Sequence, residues 1–151
     1  MLDDIDRRLL RLLQDDPSLG NNELAELTGM TAPAVWRRLE KLREAKVIAG
    51  QVAVIDWRAL GYEVEVSLRI TLDKTAPRAF EDFAAAARQV PEVIEIQTFL
   101  GRVDLRLSVI ARSLRDYQAI YHDRLLNLPH ILEIESLMTI AQIKNDESLP
   151  L

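Results

Sequence analysis

The 151 residues contain no cysteine, which excludes disulfides, thiolate metal sites and cysteine nucleophiles. Histidine occurs only as His122 and His130. There is no glycine-rich phosphate loop, no Ser-His-Asp arrangement and no spaced set of metal ligands. No apolar run approaches the roughly 20 residues that span a bilayer, and the stretch MLDDIDRRLL is acidic where a secretory leader is basic. A soluble, cytoplasmic protein is expected. A basic surplus is also missing: 19 Lys and Arg face 24 Asp and Glu, for a net charge of −5. Binding depends on where charges sit rather than on their sum. The 48% hydrophobic and 28% charged content is ordinary for a packed domain or two small ones.

In the first fifty residues, Ile5, Leu9, Leu12 and Leu13 recur at helical spacing within DDIDRRLLRLLQD, with Asp3, Asp4 and Asp6 at the start, where carboxylates suit the positive helix end. DPSLG breaks this helix. Asn21 or Asn22 can cap a second, short one that buries Leu24 and Ala25. Gly29 suits a left-handed helix end. Thr31 can cap a third helix, with Pro33 in its first turn, where the missing amide is harmless.

On that third helix Val35, Leu39 and Leu42 share one face, while Pro33, Arg37, Glu40 and Lys41 point away. Segment 30–46 holds five basic residues against two acidic, a local +3 that leaves −8 for the rest. Three short helices with a glycine turn before the third form a helix-turn-helix pattern, and such a helix fits the major groove of double-stranded DNA. The expected DNA-binding residues are Thr31, Pro33 and Ala34 at the helix start, with Trp36, Arg37, Arg38 and Lys41 along it. Two roles are open for Arg38: DNA contact, or pairing with an aspartate of the first helix. Trp36 suits packing or phosphate lining better than base reading.

Residues 51–62 read as a hinge. QVAVI alternates like a strand, and DWRALG reads as a turn. Beyond it strand–helix–strand is written twice: 63–73, 77–90, 93–101, then 102–111, 113–128, 131–143. VPEVIEIQT (90–98) realigns with LPHILEIES (128–136) at an offset of 38, which also pairs Phe83 with Tyr121. The expected architecture is α+β: a winged-helix-like helix-turn-helix domain (1–50), a linker (51–62) and a ferredoxin-like βαββαβ domain (63–151) with a four-stranded antiparallel sheet. One sheet face stays open under Arg69, Thr71, Glu95, Arg106, Glu133 and Glu135. Leftover apolar Leu100, Leu137 and Met138 point to a second subunit, and a homodimer would present two recognition helices.

LDDIDRRLLRLLQDD (2–16), ELAELTGMTAPAVWRRLEKLREAKVIAG (23–50), the Gly-x-x-Asp hairpin in FLGRVDLRLSV (99–109) and the tail QIKNDESLPL (142–151) together resemble the Lrp/AsnC family, the leucine-responsive or feast/famine regulators. The resemblance covers essentially the whole chain. The chain departs from it at Lys46, where many members have Gly, at Gln51, where an aromatic is usual, and at Val103, where Tyr or Phe is usual. The third departure lies beside the expected pocket.

The resemblance implies a sequence-specific transcription regulator, not an enzyme, with no cofactor. Its C-terminal domain would bind a small effector, usually an amino acid, in clefts between dimers of an octamer. By position, Gly101, Arg102 and Asp104 belong to that effector site, and Ser136, Met138 and Thr139 approach it from the last strand. Hairpin amides suit a carboxylate and Asp104 suits an ammonium group; the alternatives are a simple hairpin turn for Gly101 and a capped turn or inter-subunit salt bridge for Asp104. Effector bound between dimers would alter how several helix-turn-helix units engage one stretch of DNA. Two other readings share the pattern: an amino-acid sensor without a DNA role, and an enzyme similar to the siroheme decarboxylases, whose histidine-bearing loops have no counterpart at His122 and His130.

Overall fold

The computed structural model describes residues 2–144 and 148–151; Met1 and, within the tail, Asn145, Asp146 and Glu147 lie outside the described residues. The chain forms two compact units, Met1–Val54 with Lys144–Leu151, and Ile55–Ile143.

The first unit holds α1 (Asp4–Asp15), α2 (Asn21–Thr28) and α3 (Ala32–Glu44). Asp3 caps α1 by accepting from the Asp6 N–H at 2.8 Å, and Asp6 accepts back from the Asp3 N–H, a reciprocal closure of two otherwise unpaired amides. The core is Leu9, Leu10, Leu24, Ala25, Val35, Leu39 and Leu42. Each fully buried aliphatic side chain there contributes about 1.5–3 kcal/mol. Leu10 belongs to it, whereas Ile5 at the start of the predicted stripe is exposed.

The cap of α2 is Gly20, not Asn21 or Asn22, and its N–H donates to the Glu23 carboxylate at 2.8 Å. Glu23, three residues on, reaches back to this otherwise free amide, and both asparagines lie inside the first turn. Gly29 ends α2 in the left-handed region (φ 71) as expected. Thr31 is the N-cap of α3, although its hydroxyl makes no capping bond. The far end of α3 is closed by Val47 N–H to Leu42 O (2.9 Å) and Lys46 N–H to Arg43 O (3.0 Å), with Lys46 left-handed at φ 58. This is the Schellman closure, whose left-handed position favours glycine.

Within a single chain the predicted strand 51–55 has no ladder partner. Val52, Val54 and Ile55 are exposed, and no strand among the described residues pairs with them; alternation alone does not make a strand without a ladder partner. The expected separate linker also divides. Gln51 donates to Pro17 O (3.3 Å) in the first unit. In the second unit, Arg112 donates to Leu60 O (3.2 Å) and lies over the Tyr62 ring. The tail, expected with the second domain, counts with the first. Gln14 brackets the Leu149 backbone, donating to its O (3.3 Å) and accepting from its N–H (2.7 Å), and Leu151 packs against the helical core.

The second unit is β1 (Val64–Leu72), α4 (Ala79–Ala87), β2 (Val93–Thr98), β3 (Leu105–Ala111), α5 (Leu114–Ile120) and β4 (Ile131–Met138), with a π-helical turn, Tyr121–Leu125, extending α5. The sheet is antiparallel, in the order β2-β3-β1-β4. Val66, Leu68, Ile70, Leu105, Leu107 and Val109 meet Phe83 of α4 and Tyr117 and Ile120 of α5 in one core. The internal repeat places β2 and β4 on the two edges, and their first six residues share one burial pattern. On the opposite face, Arg69 lies between Arg106 and Glu135, and Thr71 lies opposite Glu133. Arg106 pairs with Glu95, while its Nε is buried without a hydrogen-bond partner. No helix among the described residues is long and apolar enough to cross a membrane.

Candidate functional site

Alpha-helix α3 sorts its cations by partner. Arg38 donates to Asp3 at 2.6 Å and to Asp6 at 2.8 Å, so it ties α3 to the capped start of α1. The Asp6 amide, and then Arg38, hold the Asp3 carboxyl below its usual range, and the two aspartates raise Arg38 in turn. Of its two open roles, Arg38 occupies the internal one. Arg43 is spent on Glu40, at 2.7 Å. Arg37 and Lys41 are exposed and have no ion-pair or hydrogen-bond partner among the described residues. Four residues apart, they stand one above the other on the outward face. Thr31 and Pro33 are exposed at the helix start, with Ala34 half-buried behind them. Trp36 is half exposed and lines a shallow groove with Pro33 and the start of α2.

In the second unit, the turn 99–104 joins β2 to β3. Phe99 N–H donates to Asp104 O (3.0 Å), Asp104 N–H to Ile70 O (2.9 Å), and the Thr71 hydroxyl to Arg102 O (3.2 Å). The N–H groups of Leu100, Gly101 and Arg102 have no partner among the described residues. Gly101 has no left-handed backbone, and a Cβ there would meet nothing. Its glycine identity is therefore not required by the turn and leaves the amides open to close approach.

Asp104 is committed twice. One carboxylate oxygen accepts from Leu72 N–H at 2.9 Å, where the β1–β3 ladder has ended, and the other meets Lys74 Nζ at 2.9 Å. The Leu72 amide above all, with Lys74, lowers its pKa against the opposing effect of burial. Lys74 was not among the sequence-predicted site residues. Thirty positions from Asp104, it gives no signal in the sequence.

Ser136 shares a hydrogen bond of 3.0 Å with the Tyr117 hydroxyl, another partner that spacing does not reveal; burial pushes the Tyr117 phenol up. Met138 is exposed at the end of β4, and Thr139 N–H donates to Glu65 O. The turn is held beside Thr71, whereas Ser136, Met138 and Thr139 align with Leu68, Val66 and Glu65. At ~3.3 Å per residue, roughly 10–20 Å of strand separates the two groups. One chain does not bring them together.

His130 has φ 62 and lies 3.3 Å from Asp82, and His122 meets the edge of Tyr121. The His130 carbonyl accepts at 2.8 Å from the N–H of Asp73, which lies between the two residues that hold Asp104.

Residues 2–43 match the AsnC-type helix-turn-helix domain and residues 65–149 the Lrp/AsnC ligand binding domain. The leucine-responsive regulatory protein of Rhizobium meliloti is 35% identical over 95% of this chain and 92% of its own length. A Neisseria meningitidis transcriptional regulator solved as its L-Met complex superposes with a TM-score of 0.92 at 28% identity, covering 99% of this chain and 97% of the other. An AsnC family regulator from Agrobacterium tumefaciens gives 0.88 at 30% identity, over 99% and 97%. With the helix-turn-helix unit and the sheet domain both matched in order, the chain belongs to the Lrp/AsnC family of transcriptional regulators.

Proposed function

We propose that this regulator contacts DNA through Arg37 and Lys41, with Thr31, Pro33 and Ala34 at the entering end of α3 and Trp36 along its flank. The observation that carries the reading is that Arg37 and Lys41 alone of the α3 cations stand outward without an acidic partner among the described residues. Arg37 and Lys41 stand four residues apart on one ridge, so both can reach the same DNA groove. Free cations on a groove-sized helix suit phosphates and guanine edges.

The effector is an amino acid. Its carboxylate meets the open amides of the 99–104 turn, and its ammonium group meets Asp104. Because Ser136, Met138 and Thr139 stand apart from the turn within one chain, the complete site needs residues of a second subunit. An assembly of dimers, up to an octamer, is further supported by exposed Leu100, Leu137 and Met138 and by the unpartnered Arg106 Nε on the open sheet face. The protein acts in the cytoplasm, as a regulator without catalysis or cofactor.

The test is a thermal-unfolding screen against the common amino acids at millimolar concentration, repeated with Asp104→Ala. Ligand at ~100 times its dissociation constant stabilises by about 2.7 kcal/mol. A selective shift lost in the variant is the expected result; a flat screen would remove the amino-acid reading.

A further inference from the structure

The two oxygens of Asp104 are not equivalent. The first closes the end of a strand ladder through Leu72 N–H, and breaking that bond would leave a partly buried amide unpaired. The second is held only by Lys74, whose side chain is 69% exposed while that of Asp104 is 14% exposed. Lys74 follows the end of β1 and has no other partner among the described residues. It is a flexible alkylammonium group at the end of a four-carbon stem. The ammonium group of a free amino acid has the same charge and the same donors.

Resting on the effector reading above, we infer that Lys74 is a built-in competitor that occupies the ammonium position on Asp104 and must leave before an amino acid binds there. The pair sets the concentration at which the regulator responds, because effector affinity is reduced by the stability of the internal pair. The exposed lysine stem lets the pair open without disturbing β1, and the Leu72 bond keeps the carboxylate in place throughout. Ligands without an ammonium group do not compete with Lys74 for Asp104.

Calorimetric titration of L-methionine, and of its deaminated analogue 4-(methylthio)butanoate, into the wild-type protein, K74Q, D104N and the K74Q/D104N double variant tests this. Removing an exposed competitor should tighten L-methionine binding roughly fivefold, equivalent to about 1 kcal/mol. The analogue should bind K74Q no tighter than wild type, and the gain should vanish when the substitution is made on D104N. If K74Q binds L-methionine as the wild type does while D104N weakens it, Asp104 holds the ammonium group without competition, and only this inference falls. Weaker binding by K74Q would make Lys74 a ligand of the effector, again overturning the competitor role alone. Binding untouched by D104N would remove the Asp104 effector site and the inference with it, and binding by neither wild type nor K74Q would overturn the inference for this amino acid.

Discussion

Replacing Arg37 and Lys41 together with alanine removes two cations per subunit that the fold itself does not use. They lie four residues apart, about 6 Å along the helix axis, and neither has a partner among the described residues whose loss would unsettle α3. The stability cost should therefore stay within about 0.5 kcal/mol. On DNA, each cation that neutralises a phosphate adds about 0.9 to the slope of log affinity against log salt. Two recognition helices carrying four such cations should lose up to about 3.6 from that slope. Fluorescence anisotropy with a labelled random-sequence duplex, at potassium chloride from about 50 to 200 mM, reads the slope without knowledge of the operator. If Arg37 instead reads a guanine, its single replacement should cost about 1–3 kcal/mol on a selected sequence and relax one base position. Arg38→Ala supplies the contrast: it should lower thermal stability by freeing Asp3 and Asp6, and leave the slope unchanged. Unaltered slope, affinity and sequence preference in the Arg37/Lys41 variant would refute the assignment of this face to DNA.

Lys46→Gly should stabilise the protein by about 1 kcal/mol in urea unfolding, since it relieves a left-handed side-chain residue in the closure of α3; an unchanged midpoint would show the strain to be absent. Gly101→Ala should leave stability within about 0.5 kcal/mol, because the added methyl meets nothing, yet weaken the effector-induced thermal shift by crowding the open amides. Asp3, Asp16, Asp73 and Asp104 all titrate below the usual carboxylate range, held there chiefly by hydrogen bonds from Asp6, Ser18, Thr75 and Leu72 respectively. The unfolded chain takes up protons at about pH 4, before the native one does. Melting temperature should thus be flat above about pH 5 and fall as pH drops through the depressed native values; a rise on acidification would contradict these assignments.

What the sequence made legible is what repeats or points inward. Val35, Leu39 and Leu42 are buried where their spacing put them, and the 38-residue repeat became two edge strands with one burial pattern. Periodicity carries that information because burial follows it. Contacts between residues distant in sequence leave no such trace: Arg38 with Asp3, Lys74 with Asp104, Tyr117 with Ser136. Local chemistry misled at the start of α2, where the capping position falls on Gly20 and both asparagines lie inside the helix. Residues 51–55, unpaired within one chain, show the other limit. Val52 and Val54 have the right side chains, but a ladder requires a second backbone.

Leu151 shares a hydrophobic cluster with the three amino-terminal helices, and Gln14 grips the backbone two residues before it. The helical unit is therefore discontinuous in the chain, and cutting at the linker does not release an equivalent module. A fragment of residues 1–54 would keep α3 and its free cations, yet it would lose apolar cover and leave the Gln14 amide to water. Fusions that graft only this amino-terminal piece onto another sensor would inherit the DNA-facing residues without the full platform beneath them.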